Sequence, residues 1–85
     1  MSYRIEFVRQ ASKQFKSLFK QEQKRIKTKV DALATEPRPR GVVKLSGKDS
    51  LYRIRAGNYR IIYSIQDKQL LVLAIDIGYR RDVYR

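Results

Sequence analysis

The sequence predicts an α+β fold, a single small domain in which a helical hairpin packs on one face of a mainly antiparallel sheet. Two observations predict this class. An alternating segment and two amphipathic helical segments come first, and the remaining β segments follow as a group, in the order β-α-α-β-β-β. The chain has 85 residues, enough for one hydrophobic core, so we expect residues 1–85 to form one domain.

The first half of the chain supplies one strand and two helices. Residues 2–8 alternate apolar and charged side chains, the pattern of a half-buried strand. Apolar residues at helical spacing predict helices over 10–20 and 22–35, and the short connection between them makes them neighbours. Pro37 ends the second helix, because proline disfavours helical backbone in the residue before it. The side chains expected to face the core are Ala11, Phe15, Leu18 and Phe19 in the first helix and Ile26, Val30, Leu33 and Ala34 in the second.

The second half of the chain supplies the rest of the sheet. A short segment over 42–45 can be a strand, and longer strands are predicted over 51–56, 59–65 and 70–77. Gly57-Asn58 fits a two-residue hairpin turn of type II′, with glycine first. Counting outward from this turn pairs Arg55 with Arg60, Ile54 with Ile61 and Tyr52 with Tyr63. The apolar pairs then share one face of the sheet, which supports this register.

The same register places Arg53, Arg55 and Arg60 together on one face of the sheet. Like charges directly opposite each other on a sheet are unfavourable by some tenths of a kcal/mol, up to about 1 kcal/mol, so stability alone does not explain the cluster. Guanidinium groups grouped in this way suit an anion with several oxygens, such as a phosphodiester. The alternative is a charged face that contacts only water.

Asp76, in the last strand, is a candidate counter-ion for Arg60. The more apolar side of this strand consists of Leu71, Leu73, Ile75 and Ile77. If that side faces the helices, a five-residue connection over 66–70 sets Asp76 opposite Arg60. A two-residue turn at Asp67-Lys68 gives the other parity and separates the two charges. The alternative role for Asp76 is an ordinary surface ion pair, worth about 0–1 kcal/mol.

The charge of the chain points to a polyanionic partner. Twenty Lys and Arg against eight Asp and Glu give a net charge of +12, spread over both halves of the chain. Nucleic acid is the first candidate and an anionic membrane surface the second. The chain has no Cys and no His, which excludes disulfides, thiolate zinc sites and the commonest metal ligand, so we expect no metal and no small-molecule cofactor. Without a membrane-spanning run or a secretory signal, the expected location is the cytoplasm.

Basic side chains also line the predicted helices. Lys13, Lys16 and Lys20 fall at helical spacing without interleaved aromatic residues, so they would position a phosphate backbone and would not read a base sequence. The alternative is an ordinary solvated face. Tyr79 lies in a basic segment, where its ring can stack on a base. The residues expected to contact nucleic acid are Lys13, Lys16, Lys20, Lys24, Arg25, Lys27, Lys44, Lys48, Tyr79 and Arg81.

Two segments, LYRIRAGNYRIIYSI over 51–65 and GYRRDVYR over 78–85, resemble the RelE-type toxins of the RelE/ParE superfamily when taken with the element order. These toxins belong to type II toxin–antitoxin modules. The resemblance implies a metal-independent mRNA endonuclease that acts in the ribosomal A site, beside 16S rRNA. It also implies a cognate RelB-like antitoxin that neutralises the toxin, and basic side chains that contact RNA or the ribosome.

The resemblance further implies a catalytic set, which is Arg53, Arg55, Arg60, Arg80 and Tyr84. In the implied mechanism the RNA 2′-hydroxyl attacks its own 3′ phosphate and leaves a 2′,3′-cyclic phosphate. Two features depart from the family pattern, since some members carry lysines where this chain has Arg53 and Arg55, and many carry histidine at the position of Tyr79. Arginine does not readily lose a proton, so these residues leave the general base unassigned.

Two other functions fit parts of the pattern. ParE-type toxins share the scaffold but poison DNA gyrase, and they generally lack the full arginine set and the terminal tyrosine that this chain carries. A non-catalytic RNA- or ribosome-binding module would need only the lysines and the arginine cluster for contacts with the phosphate backbone. The complete arginine set and Tyr84 favour RNA cleavage.

Overall fold

One five-stranded sheet organises the chain. A computed structural model of the protein describes residues 2–45 and 51–79. Its elements, in chain order, are β1 (Arg4–Phe7), α1 (Arg9–Lys16), α2 (Lys20–Ala32), β2 (Val43–Lys44), β3 (Leu51–Ala56), β4 (Tyr59–Gln66), a 3-10 turn (Asp67–Gln69) and β5 (Leu71–Tyr79). The strand order is β1-β5-β4-β3-β2, with β1 parallel to β5 and the other pairs antiparallel. The predicted α+β class is confirmed, and the short segment before the hairpin is a strand.

The two helices cover one face of this sheet and form the core with it. The buried helix residues are Ala11, Ile26, Val30 and Leu33. The strand residues packed against them are Tyr52, Ile54, Ala56, Ile61, Tyr63, Ile65, Val72, Ala74 and Ile77. Each large apolar side chain buried in this way contributes about 1.5–3 kcal/mol, so this layer supplies most of the driving force for folding. Within residues 2–45 and 51–79, no helix is long and apolar enough to cross a membrane.

The first helix is shorter than predicted, and Phe19 does not face the core. Gln23 donates from Nε2 to the carbonyl oxygens of Phe15, Lys16 and Leu18, at 3.1, 3.3 and 3.1 Å, and so caps the end of α1. The backbone is extended at Phe19, which precedes α2 with φ −63° and ψ 151°. Phe19 is 84 % exposed, so the expectation that it packs in the core is wrong. The helical spacing on which that expectation rested ends at Lys16.

The central hairpin has the predicted register. Cα partners across β3 and β4 are Arg55 with Arg60, Ile54 with Ile61 and Tyr52 with Tyr63. Gly57 has a φ of 64° and Asn58 does not have a positive φ, as a type II′ turn requires. On the core side, the rings of the paired tyrosines stack with their centroids 5.9 Å apart. The turn residues and the apolar pairs therefore specify the same alignment.

A β-bulge in β5 changes which of its side chains face the helices. The connection from β4 leaves Gln66 paired with Leu71, but the register shifts between Tyr63 and Ile62, so that Ile62 pairs with Asp76. The extra residue on β5 is Ile75. Before the bulge Val72 and Ala74 are buried in the core, and after it Ile77 is. The parity in which Leu71, Leu73, Ile75 and Ile77 all face the helices therefore does not hold along the whole strand, although Leu71 is buried outside the core cluster and Ile77 lies within it.

The proline-containing segment after α2 is held against the sheet by polar contacts. Arg38 pairs with Asp67, with Nη2 and Oδ2 2.8 Å apart, and the Tyr3 hydroxyl donates to the same carboxylate at 2.6 Å. These two hydrogen bonds lower the pKa of Asp67. The Tyr63 hydroxyl donates to the Pro37 carbonyl at 2.7 Å, and burial raises the pKa of Tyr63 to about 12.

Tyr63→Phe tests this anchoring through the pH dependence of stability. At pH 7 we expect the variant to be less stable by about 1 kcal/mol, because the Pro37 carbonyl loses its donor. The folded-state pKa of Tyr63, about 12, lies above the ordinary value of 10.0, so the stability that its neutral hydroxyl contributes is complete below pH 10 and is lost as the pH rises towards 12. Urea denaturation should show that the difference in unfolding free energy between the natural chain and the variant decreases across this pH range. A constant difference between the two proteins would contradict this.

Candidate functional site

The hairpin brings three arginines onto the face of the sheet that the helices leave uncovered. Arg55 is the Cα partner of Arg60, and Arg53 is the partner of Ile62. Their neighbours Ile54 and Ile61 point into the core, so the arginines point the other way. Arg53 and Arg60 are partly buried and Arg55 is exposed. The predicted cluster of these three positions on one face is therefore present.

Arg53 and Arg55 also border a groove at the edge of the sheet. The groove has a volume of about 530 Å³ and lies where β3 extends beyond the two-residue strand β2. Its charged lining consists of Lys29, Glu36, Arg40, Arg53 and Arg55. Four cations against one acid make this edge suited to a polyanion. Lys29 and Arg40 were absent from the predicted binding residues, although both belong to the basic excess of the first half of the chain.

Arg60 is the most constrained member of the cluster. Its Nη2 lies 2.9 Å from Asp76 Oδ2, and the two side chains are only 14 % and 21 % exposed. Nε and Nη1 of Arg60 are buried and have no hydrogen-bond partner within residues 2–45 and 51–79. A buried donor left without a partner costs about 1–3 kcal/mol. An oxyanion that reaches these nitrogens would remove that cost, so the guanidinium is a candidate phosphate ligand.

The expected ion pair between Arg60 and Asp76 forms, but in a different register. The Cα partner of Arg60 is Gly78, and Asp76 pairs with Ile62 because of the bulge at Ile75. Arg60 and Asp76 still share a face of the sheet, so the ion pair spans the diagonal between neighbouring pairs.

The close fit of Arg60 depends on a glycine. A Cβ atom built at position 78 would collide with Arg60 Nη1 and crowd the carbon of the guanidinium. Gly78 therefore lets the arginine lie directly against the backbone of β5. The guanidinium sits over its own strand partner because that partner has no side chain.

Two glutamines of α1 complete the surroundings of Asp76. Gln10 and Gln14 donate from Nε2 to Asp76 Oδ1 at 2.9 and 2.8 Å. Gln14 also accepts the backbone N–H of Ile77 at its Oε1, at 2.8 Å. Both glutamines were missed in the sequence, where their only signal is a pair of amides spaced i, i+4 on a basic helix. That spacing places them on one side of the helix, where they can grip one carboxylate.

The lysines of the described helices that we predict to bind RNA are exposed. They do not lie together on one surface. Lys13 borders a shallow groove with Arg9, Gln10 and Gln14, next to the Asp76 carboxylate. Lys16 and Lys20 flank the turn between the helices, and Lys24 and Lys27 lie on α2. Lys27 forms an ion pair with Asp31 at 2.9 Å. Lys44 lies on β2, at the far edge of the sheet from α1.

Arg25 and Tyr79 lie near the hairpin tip. Arg25 packs its side chain against Gly57, where a Cβ would meet Nη1 at 2.7 Å, and its Nη1 is 3.7 Å from Glu22. The ring of Tyr79 stacks on Tyr59 with centroids 4.9 Å apart and is 52 % exposed. Burial, together with Tyr79 and Glu22, raises the pKa of Tyr59. The other predicted site residues, Lys48, Arg80, Arg81 and Tyr84, lie outside the described residues.

The available side chains point to anion binding by cations. Within the described ranges there is no group of three or more acidic side chains that could hold a metal ion, and the sequence contributes no His or Cys. The site instead offers the N–H donors of guanidinium groups, and one carboxylate forms an ion pair with one of these groups. This arrangement can bind a phosphate and stabilise negative charge that grows on its oxygens.

Comparison with known proteins identifies the family to which this chain belongs. Residues 5–84 match the family described as ParE toxin of type II toxin–antitoxin system, parDE. A protein described as a RelE-like toxin, from Escherichia coli, is 31 % identical over 88 aligned positions, which cover 99 % of this chain and 92 % of that protein. A protein named as toxin RelE1, from Methanocaldococcus jannaschii, is 26 % identical over 100 % of this chain and 98 % of its own.

Solved structures agree with the sequence relatives. The fold is similar to a chain of the archaeal RelE–RelB complex from Pyrococcus horikoshii, with a TM-score of 0.83, 36 % identity and coverage of 94 % of this chain and 97 % of that one. It is similar to the isolated E. coli RelE toxin, with a TM-score of 0.82, 28 % identity and coverage of 98 % and 92 %. The chain therefore belongs to the ParE toxin family of type II toxin–antitoxin systems, and within it is a RelE-type toxin.

Proposed function

We propose that this toxin is a metal-independent endoribonuclease that cleaves mRNA in the ribosomal A site and so stops translation and growth. The observation that carries the proposal is the Arg60 guanidinium, which is held on one side by Asp76 and has buried Nε and Nη1 groups without a partner in the described chain. Such a group is prepared for an oxyanion, and the substrate of a ribonuclease is a phosphodiester.

The proposed reaction needs only the RNA, side chains of the toxin and water. The 2′-hydroxyl oxygen attacks the adjacent phosphorus and loses its proton, while the bond from phosphorus to the 5′ oxygen breaks. The 5′ oxygen takes up a proton, which leaves a 2′,3′-cyclic phosphate and a 5′-hydroxyl. Much of the rate would come from holding the nucleotide so that the attacking and leaving oxygens are in line.

The five proposed catalytic residues divide into three roles. Arg60 and Arg80 hold the phosphodiester and stabilise the charge on its oxygens. Arg53 and Arg55, on the neighbouring strand, neutralise the phosphate and assist proton transfer through a bound water. Tyr84 stacks on a base at the cut or takes part in proton transfer. The roles of Arg80 and Tyr84 rest on the family resemblance.

The partners of the toxin follow from its charge and its relatives. The exposed lysines of α1 and α2 suit contacts with ribosomal RNA, because a net charge of +12 favours binding to phosphate backbones. Related toxins from P. horikoshii and E. coli occur in complexes with RelB antitoxins. We therefore propose a cognate RelB-like antitoxin as the partner of this chain and the cytoplasm as its place of action.

Inhibition of DNA gyrase is the second candidate function, because the matching family carries the ParE name. The two relatives and the archaeal complex described above instead carry the RelE name. A cluster of arginines that can bind a phosphate also has a direct use in RNA cleavage. The third function, a non-catalytic RNA-binding module, would use the same cations without cutting.

Primer extension on cellular messages separates these functions. We expect induction of the natural chain in bacteria to produce new 5′ ends within translated messages, at positions occupied by ribosomes, and induction of Arg80→Ala to produce at most a small fraction of them. Intact messages with a DNA-damage response would support gyrase inhibition and contradict our proposal. Intact messages with reduced translation and no DNA damage would support a binding module and also contradict it.

A further inference from the structure

We infer that Asp76 is a positioning residue that works with Gln10 and Gln14 to hold the Arg60 guanidinium in the orientation that receives the scissile phosphate. This inference rests on the proposed function. It adds a role for three residues that touch Arg60 directly or through one another and that would not contact the reacting atoms.

Only one nitrogen of the Arg60 guanidinium has a partner in the described part of the chain. Asp76 Oδ2 engages Nη2 alone, at 2.9 Å. Nε and Nη1 keep their hydrogens unpaired in the described part of the chain. A carboxylate that only served as a counter-ion for stability would gain most by taking two donors of the guanidinium, since bidentate pairs are the stronger arrangement. The observed geometry holds one nitrogen and leaves the covered Nε and Nη1 groups without a partner in the described residues, so a second anion would bind them once the atoms above them move aside.

Asp76 is itself fixed by hydrogen bonds from α1. Its Oδ1 accepts hydrogen bonds from both Gln10 and Gln14, and the amide of Gln14 has a defined orientation. The Ile77 N–H donates to Gln14 Oε1, so the other end of that amide must be the Nε2 group that faces Asp76. A continuous path of hydrogen bonds therefore runs from the backbone of β5 through Gln14 and Asp76 to Arg60.

The guanidinium also lies directly against β5. Gly78 provides a flat surface beneath Arg60 Nη1, because any Cβ there would collide with it. Asp76, two residues earlier on the same strand, holds the opposite nitrogen. The guanidinium thus lies between Gly78, which has no side chain to exclude it, and the Asp76 carboxylate, which fixes its orientation. Precise catalytic geometry requires support of this kind.

The test compares Asp76→Asn with a matched control. Asp76→Asn preserves the shape of the side chain and removes its charge. Asp31→Asn removes the same charge from an exposed pair with Lys27 on α2, away from Arg60. We expect Asp76→Asn to lower the single-turnover cleavage rate of ribosome-bound message about 100-fold, the loss typical of a small misplacement, and Asp31→Asn to change it less than twofold.

Two further readouts separate positioning from general destabilisation. In the Arg60→Ala background, Asp76→Asn should cause no additional loss of cleavage, because its effect passes through the guanidinium. In NMR spectra of the natural chain, the Arg60 Nε–H should give a distinct signal that shifts when an RNA carrying a 2′-deoxy nucleotide at the cut is added. In Asp76→Asn that signal should broaden or move to the position of a solvent-exposed arginine. Gln10→Ala, a milder surface change, should move all readouts in the same direction by several-fold.

The outcomes distinguish this inference from the proposed function. Natural cleavage rates in Asp76→Asn, or an equal loss with and without Arg60, would overturn the positioning role while leaving RNA cleavage in place. If the natural chain cuts no RNA, the proposed function fails, and the NMR readout decides the inference alone. An unchanged Arg60 signal in folded Asp76→Asn would then overturn it.

Discussion

Replacing Arg60 by alanine is expected to lower the rate of RNA cleavage by about 100- to 1,000-fold, the range measured when one preorganised donor to a developing oxyanion is removed. The physical reason is that Arg60 offers donors that residues 2–45 and 51–79 leave unpaired. A solvated arginine would first have to give up hydrogen bonds to water, whereas buried Nε and Nη1 groups gain a partner only when the phosphate arrives. The measurement is single-turnover cleavage of a ribosome-bound message.

Two further variants make this result specific. Arg60→Lys keeps the charge but replaces a planar set of donors with a compact ammonium, so we expect most of the rate to be lost. Arg4→Ala is the charge control, because Arg4 is exposed on β1 and pairs with Glu6 at 2.8 Å. It should cleave at nearly the natural rate. Cleavage by folded Arg60→Ala at the rate of Arg4→Ala would remove Arg60 from the site.

Gly78→Ala is expected to lower cleavage by about 10- to 100-fold with little change in stability. The added Cβ meets the far end of a flexible side chain, so the guanidinium moves aside and the strand remains paired. The backbone of Gly78 has no positive φ, so alanine is tolerated there. Thermal unfolding should therefore be close to that of the natural chain, while the cleavage rate falls because Arg60 is displaced from its place beside Asp76.

The control for Gly78→Ala is its combination with Arg60→Ala. Without the guanidinium, the new methyl group has nothing to displace. The double variant should therefore cleave at the rate of Arg60→Ala alone. A further loss in the double variant would show that Gly78 acts on the site by some route other than the position of Arg60, and would contradict displacement of the guanidinium as the cause.

The register of the hairpin could be predicted from the sequence because two independent local signals, the turn residues and the side-chain alternation, indicated the same pairing. A two-residue turn with glycine first defines which residues face each other, and the side-chain alternation of a strand then sorts them onto two faces. Arg53, Arg55 and Arg60 could be placed on one face for this reason, and the structure confirms that placement. The end of the second helix was predicted less well, since α2 ends at Ala32, before the stop that Pro37 predicts near Glu36.

The features that could not be predicted depend on contacts between distant parts of the chain. The end of α1 is determined by Gln23, which caps it from the next helix, and Phe19 is exposed as a result. The bulge at Ile75 has no local signal of its own, yet without it Asp76 would pair with Ile61 and lie on the core side in place of Ile77. Gln10 and Gln14 belong to the site only because α1 lies beside β5. Tertiary packing, not local propensity, places all three.

The most direct test of the central claim is cleavage of a message that carries one 2′-deoxy nucleotide at the position cut in the unmodified message. We predict that the toxin leaves this message intact at that position. We also predict that it converts the unmodified message into fragments with a 2′,3′-cyclic phosphate on one side and a 5′-hydroxyl on the other. Equal cleavage of both messages at that position would contradict attack by the 2′-hydroxyl, and with it the reaction assigned to the Arg60 site.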